Sequence, residues 1–439
     1  MFSRFLSKSV HGNAAAKESC DVVIVGGGII GLATARELLI RHPGMRAKVL
    51  EKESQLATHQ SCHNSGVIHA GLYYPAGSYK AKMCWEGLSQ TYAYCDRKQI
   101  PYKKCGKLIV AVEMWELPAL EKLMKNATIN GIPDVRMIAR DGIGEVEPYC
   151  RGLRAVYSPH TGIVNWKTVA IGYKEDFSEI GGEVETDYTV TQIGQSVDNV
   201  DYPISVKGRC KTSDGKKPAE IQCKYLITCA GLQADHLAKM TGCSSEPQIV
   251  PFRGDFMVLK PHKNYLVRGN IYPVPDPRFP FLGLHVSPGI DGTVLLGPSA
   301  VLSLKREGYG LLDFSLKDTL GSLTYPGLLC FVLKYYRIGW GEWVRSVSIR
   351  GQMKQLKRLI PSISSEDVSQ GPSGLRAQTM DRKGNLVDDF VIHQGKGLGE
   401  WRVMHVRCVP SPGATSSLPI ARHIINEAEK QFDWPTTIK

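Results

Sequence analysis

The sequence predicts an α/β protein: a Rossmann-like dinucleotide-binding domain combined with a mixed, largely antiparallel α+β domain. Two stretches predict this. Residues 21–53, DVVIVGGGIIGLATARELLIRHPGMRAKVLEKE, read as strand, glycine turn, helix and strand. VPFRGDF (Val250–Phe256) and PFLGLHVSPGIDGTVLLGP further on read as strands around a Gly-rich hairpin, PGIDG, as an antiparallel sheet requires. With 439 residues, 43% hydrophobic and 22% charged, the chain is long enough for two domains with cores of their own.

Each part of the first stretch has a physical task. VVIV is a β-branched run suited to a buried strand. Gly26, Gly28 and Gly31 follow as G-x-G-x-x-G. Gly26 permits the tight turn, Gly28 lets the backbone approach a pyrophosphate, and Gly31 lets helix and strand pack closely. LATARELLIR has helical spacing and stops at Pro43-Gly44. The start of that helix presents free N–H groups to phosphates. AKVLE is the second strand, and its Glu51, twenty residues after Gly31, suits a ribose diol.

Directly after this unit comes HQSCHNSGVIHAGLYY, His59–Tyr74, with three histidines around small residues. Small residues allow close backbone approach to a ligand, and His63 or His69 can then reach it. Packing or turn capping is the competing use of both. YLITCAGLQAD is a strand, a tight turn at Cys229, Ala230 and Gly231, and a helix. SPGATSS places N-cap residues ahead of an apolar-periodic helix, whose start presents N–H groups.

Composition narrows the function. The net charge is +12, without a long basic run, which argues against a nucleic-acid tail and suits an anionic substrate, an anionic cofactor, an acidic membrane surface or a matrix-type compartment. The 12 cysteines form no C-x-x-C pair and no zinc spacing, so no metal is expected and a reducing compartment is. No apolar run reaches the roughly 18 residues of a membrane span. MFSRFLSKSVHGNAAAK carries Arg4, Lys8 and Lys17 without an acid, in the manner of a mitochondrial transit peptide. Tyr325–Leu359 interleaves apolar and aromatic residues, Trp340 and Trp343 among them, with seven bases and one acid. It suits either a basic amphipathic segment at a membrane interface or a helical cap on the second domain.

The histidine loop, with KCGKLIVAVE (Lys104–Glu113), EPYCRGL, SPHTGIV, TCAGLQAD, VPFRGDF, NIYPVPDPRFPFLGLH, GPSGLRAQTMDRKGNLVDDF and PSPGATSS, resembles the FAD-dependent amino-acid and hydroxy-acid oxidoreductases. That superfamily includes D-amino-acid oxidase, glycine oxidase and glycerol-3-phosphate dehydrogenase. Within it the motifs are similar to those of the L-2-hydroxyglutarate dehydrogenases, over nearly the whole chain from Cys20. The weak stretch is Leu311–Arg358.

The resemblance implies an FAD domain built from 20–105, 151–245 and 359–439, interleaved with a substrate domain from 106–150 and 246–358, after a transit-peptide leader or disordered start over 1–19. It implies FAD held by Gly26, Gly28, Gly31, Glu51, His63, Asn64, Ser65, Gly66, Ala230, Gly231, Gly413, Ala414, Thr415 and Ser416. His69 and His285 become the candidate bases, with Arg376, Arg253, Tyr272, His405 and Arg407 around the substrate. Arg376, after a Gly-rich turn, suits a carboxylate because its fork binds one bidentately; a salt bridge to Asp381 or Asp388 is the alternative. Arg253 fits equally as a turn pin, and His285 as a hydrogen-bonded core residue. The implied reaction is oxidation of L-2-hydroxyglutarate to 2-oxoglutarate in mitochondria. Its electrons would pass to a quinone or an electron-transfer flavoprotein, with peripheral contact on the matrix side of the inner membrane. A flavin amine or amino-acid oxidase and a catalytically silent flavoprotein are the rival readings.

Overall fold

The computed structural model describes residues 18–213, 215–276, 282–310, 312–335, 349–396 and 401–435. Strand β1 (Glu18–Val25) is followed by helix α1 (Ile29–Arg41) and strand β2 (Ala47–Leu50). β1 therefore starts inside the stretch 1–19 read as a leader; Glu18 and Ser19 pair with Ile221 and Gln222, which extends the sheet. β1 is parallel to β2 and to Gly215–Thr228; β2 is parallel to Glu183–Glu185, and Gly215–Thr228 to Val403–Cys408. These five parallel strands carry three antiparallel additions, giving an eight-stranded sheet. Parallel strands covered on both faces read as continuous apolar runs, and Val22, Val23 and Ile24 are each fully buried. α1 packs its Leu32, Ala35 and Leu38 under the sheet with the C-terminal helix Ser417–Phe432 alongside.

The second sheet has nine strands. Asn270–Pro273 is parallel to Lys107–Ala111, and the other pairings are antiparallel, as the fold class anticipates. Its order corrects two expected boundaries. Arg154–Ser158, assigned by the motifs to the FAD segment 151–245, lies between Lys107–Ala111 and Arg136–Ala139. Val368–Met380, assigned to 359–439, runs antiparallel along Gln248–Leu259. Both strands alternate, so one side chain in two covers each face, and that pattern completes an antiparallel sheet rather than the buried parallel one.

GPSG, read as a turn before Arg376, is instead part of a strand, with a shift of register at Gly371–Pro372 opposite Phe256. Its glycines serve close approach, since a Cβ at Gly374 would lie 2.5 Å from the His63 carbonyl. On one face of this sheet Ile109, Ala111, Val156 and Tyr272 join the core of the first domain; on the other, Leu108, Val110, Ile271 and Val286 face a separate core. Helix Ile349–Leu359 closes that second core with Met353, Leu356 and Leu359 while its bases face outward. Trp340, Trp343 and the glycines near them lie outside the described residues.

Candidate active site

The turn after β1 is shaped by contacts that leave no room for side chains. Gly26 has φ +117°, and a Cβ there would sit 2.3 Å from the Cys229 carbonyl; a Cβ on Gly31 would sit 1.9 Å from the Gly26 carbonyl. Gly28 differs, because a Cβ there meets only the Ser61 hydroxyl, at 3.4 Å. Ser61 Oγ accepts from the Ile29 N–H at the start of α1 (2.9 Å). Glu51 accepts from the Gly27 and Glu53 N–H groups at 2.7 and 2.9 Å. Two of its roughly four acceptor sites are so used, which aims the carboxylate and leaves capacity for a diol. A backbone cradle open at Gly28, a helix start and an aimed carboxylate suit a dinucleotide, so these residues fit FAD.

The histidine loop continues from this turn. Gly66 has φ +70° and passes the Val164 carbonyl too closely for a side chain. Asn64 spends its amide inside the loop, donating to the Gln60 and Ser61 carbonyls and accepting from the Gly66 N–H. His63 Nδ1 lies 2.8 Å from the Ser373 carbonyl and its ring is 4.1 Å from that of Tyr309, so the imidazole ties the loop to the second sheet. The His69 N–H donates to Thr415 Oγ1 (3.1 Å), which joins the loop to the turn before the C-terminal helix. That turn, Gly413 to Ser416, presses on the helix Tyr79–Lys98, where a Cβ on Gly87 would meet the Thr415 carbonyl at 2.3 Å. The expected side-chain cap is absent: Ser416 occupies the N-cap without a capping bond, and its buried hydroxyl has no partner. Ala230 and Gly231 follow Cys229 past Gly26, with Gly231 at φ +50°.

His69, Tyr272, His285 and Arg376 gather where the loop faces the second sheet. Tyr272 and His285 stack at 4.1 Å and 19°. Tyr272 is 1% exposed, and burial pushes its phenol up to about 12. The Ser287 and Ser65 hydroxyls beside the phenol oppose that rise. His285 makes no side-chain hydrogen bond of ordinary geometry; burial, then Lys107 and Arg376, push it down to about 3, against an influence of the Gly283 backbone. Burial, then Lys107 and His285, hold His69 well below 6.5. Both imidazoles are therefore neutral at neutral pH, and their surroundings disfavour the protonated form. Arg376 is partly buried; burial lowers its basicity and Tyr272 raises it. Of its two expected salt-bridge partners, Asp388 pairs with Lys80, and Asp381 holds the 383–385 turn.

Three of the expected substrate residues are used elsewhere. Arg253 binds Asp255 and the Gly310 carbonyl, which makes it the turn pin. His405 is fully buried between Thr228 Oγ1 (2.8 Å) and Thr241 Oγ1 (2.7 Å), and Arg407 donates to the Ser244 and Pro247 carbonyls. A strand in the middle of a sheet has to satisfy its polar side chains locally, and these do so with neighbouring loops.

The sequence reading missed Lys107 and Tyr73. Lys107 opens an otherwise apolar, fully buried strand, KLIVA, and a lysine in such a pattern is the signal that was available. Its Nζ lies 3.3 Å from His69 Nδ1, 4.1 Å from the centre of the Tyr272 ring and 5.3 Å from that of Tyr73.

A dinucleotide cradle joined to a desolvated pocket of neutral bases and cations defines a redox enzyme, and a family model described as FAD dependent oxidoreductase (DAO) matches residues 21–427. The mitochondrial L-2-hydroxyglutarate dehydrogenase of Nematostella vectensis is 53% identical over 424 residues, covering 94% of this chain and 91% of that one. The human protein of the same name is 48% identical, with 96% and 91% covered. The chain belongs to the L-2-hydroxyglutarate dehydrogenase family of FAD-dependent oxidoreductases. The fold is shared with Mycoplasma pneumoniae L-alpha-glycerophosphate oxidase with FAD bound, at TM-score 0.74 and 23% identity over 96% of this chain and 97% of the other.

Proposed function

We propose that the protein oxidises L-2-hydroxyglutarate to 2-oxoglutarate in mitochondria, with FAD bound along Gly26, Gly28, Gly31, Glu51, the histidine loop, Ala230–Gly231 and Gly413–Ser416. The observation that carries the reading is the convergence of His69, His285, Tyr272 and Arg376, reached from three segments distant in sequence, together with 53% identity to a relative named for that reaction. FAD, when bound, accepts the hydride from C2. The chain's own residues do the remainder. Arg376 pairs with a substrate carboxylate. The Tyr272–His285 stack walls the pocket and keeps water from it. His69 takes the hydroxyl proton: its Nδ1 is engaged by Lys107 and its backbone by Thr415, so Nε2 is aimed, as a general base requires.

The reading is tested by anaerobic mixing of the yellow protein with L-2-hydroxyglutarate and with a panel of amino acids while flavin absorbance is followed. Bleaching by the hydroxy acid alone supports it; bleaching by an amino acid alone moves the protein to the amine oxidases, and bleaching by none leaves a silent flavoprotein. In the same assay Arg376→Lys should raise KM on the order of a hundredfold with FAD retained, because a point charge replaces a bidentate fork on a desolvated carboxylate. Wild-type kinetics in that variant would make Arg376 structural.

The electron acceptor we propose is a quinone or an electron-transfer flavoprotein, reached at the matrix face of the inner membrane. Leu312, Phe314, Leu316, Leu320, Leu329 and Leu333 are all exposed, and in sequence they lead up to and into the basic stretch Tyr325–Leu359. Among the described residues no helix is long and apolar enough to cross a membrane; the contact proposed is a peripheral one. The protein should sediment with anionic vesicles at low salt and less at high salt. Leu329→Asp with Leu333→Asp should weaken that further; protein in the supernatant at every salt concentration would remove the membrane from the proposal.

A further inference from the structure

Lys107 is 2% exposed, and among the described residues no carboxylate lies within 4.0 Å of its Nζ. The polar atom that meets it is His69 Nδ1, at 3.3 Å. A buried ammonium without a counter-charge is unfavourable and tends to shed its proton. As a neutral amine, Lys107 accepts from Nδ1–H, which keeps the imidazole proton on Nδ1 and leaves Nε2 the open base. The Tyr272 ring, 4.1 Å below Nζ, offers a face that stabilises the charged form once it arises.

We propose that Lys107 is the positioning residue that receives, through His69, the proton of the substrate hydroxyl. The inference rests on the reaction proposed above. His69 Nε2 takes the proton of the C2 hydroxyl while the C2–H bond breaks and its electron pair leaves with the hydrogen to FAD. The Nδ1 proton passes to Lys107, whose –NH2 becomes –NH3+. The C–O bond becomes a carbonyl, and the imidazole ends neutral. Loss of one proton to solvent and exchange at the imidazole restore the resting pair. A lone imidazole here would have to hold a charge that its surroundings disfavour; the relay moves that charge onto an amine seated over an aromatic face.

The titratable groups around Lys107 leave one ionisation in the working range. Burial brings Lys107 itself to about 7, with Cys84 and Cys105 opposing. Burial holds His69 well below 6.5 and takes His285 to about 3. It raises Tyr73 and the thiols Cys84 and Cys105, and takes Tyr272 to about 12. Of these groups Lys107 is the one brought to about 7. The relay needs it neutral, so kcat/KM should climb with pH and level off above about 7.

The experiment measures that profile for the FAD-loaded enzyme and for Lys107→Met, with a lysine 13Cε NMR titration of both proteins. The expected result is a lysine resonance titrating near 7 that the variant lacks. The variant should lose on the order of a hundredfold in kcat, with KM within about threefold, FAD retained and the inflection gone. Methylamine should restore part of the rate of Lys107→Ala in proportion to its free-base fraction. A raised KM at unchanged kcat would overturn the relay and make Lys107 a carboxylate clamp; so would a wild-type rate that falls as pH rises through 7. Should the variant purify without FAD, the wild-type profile and the lysine resonance decide, and a flat profile without a titrating lysine rejects the proposal. If L-2-hydroxyglutarate fails to bleach the flavin, the reaction falls, while the resonance still reports the Lys107–His69 pair.

Discussion

Gly31→Ala should yield a protein that purifies colourless or not at all. The added carbon would sit 1.9 Å from the Gly26 carbonyl and 3.4 Å from Cys229 Cβ. The obstacle is backbone on the neighbouring turn, which has no rotamer to change. Overpacking in yielding cores costs typically 1–3 kcal/mol, and a rigid clash lies at or beyond the upper end of that range. Against a total stability of roughly 5–15 kcal/mol, and with α1 forced off β1, the cradle should not survive. Gly28→Ala separates packing from cofactor contact. Its Cβ meets only the Ser61 hydroxyl, so the chain should fold while the pyrophosphate approach is blocked. The measurements are the flavin-to-protein absorbance ratio and the melting temperature. A yellow, stable Gly31→Ala protein would refute this account of the turn.

His69→Asn should lower kcat by about 10²- to 10⁴-fold, the usual contribution of a positioned general base. The Thr415 contact is made by the His69 backbone N–H, so the join between the loop and the C-terminal helix persists in the variant, and FAD should remain bound. His285→Asn, which removes a ring stacked on Tyr272, should act mainly on KM. Steady-state kinetics with flavin content checked for each protein decides between them. A His69→Asn enzyme retaining more than about a tenth of wild-type kcat would transfer the base to His285.

The nucleotide-binding unit was legible because its determinants are local. A β-branched run, three glycines at fixed spacing, a helix stopped at Pro43-Gly44 and an acid at Glu51 lie within 31 consecutive residues. The structure builds them as β1, α1 and β2, in register along one sheet. The antiparallel hairpin at PGIDG was legible for the same reason, since turn chemistry and alternation act between near neighbours. Arg154–Ser158 and Val368–Met380 were assigned to the wrong domain. An alternating strand carries no mark of which sheet it joins, and Gln248–Leu259 and Lys107–Ala111, which fix the placement of these two, lie more than 40 positions away.

Residue type alone made Arg253, His405 and Arg407 look like pocket residues, because each can bind a carboxylate or move a proton. Apart from Asp255 beside Arg253, their partners are carbonyls and hydroxyls 57 to 177 positions away, and those partners decide that the side chains hold the fold together. His69, His285 and Arg376 carry the same chemical groups as those three, and Tyr272 adds a phenol. His69, Tyr272 and His285 face the pocket where the histidine loop meets strands Lys107–Ala111, Asn270–Pro273 and His285–Pro288, which lie side by side, and Arg376 comes from Val368–Met380, whose Ser373 carbonyl holds His63 of the same loop. Lys107 shows the division most clearly. The sequence alone determined that a lysine stands in an apolar strand. Only the tertiary structure decided that it lies against His69 Nδ1 with no carboxylate beside it among the described residues, because desolvation and pairing are properties of what the folded chain brings within a few ångströms, not of the residue or its neighbours in sequence.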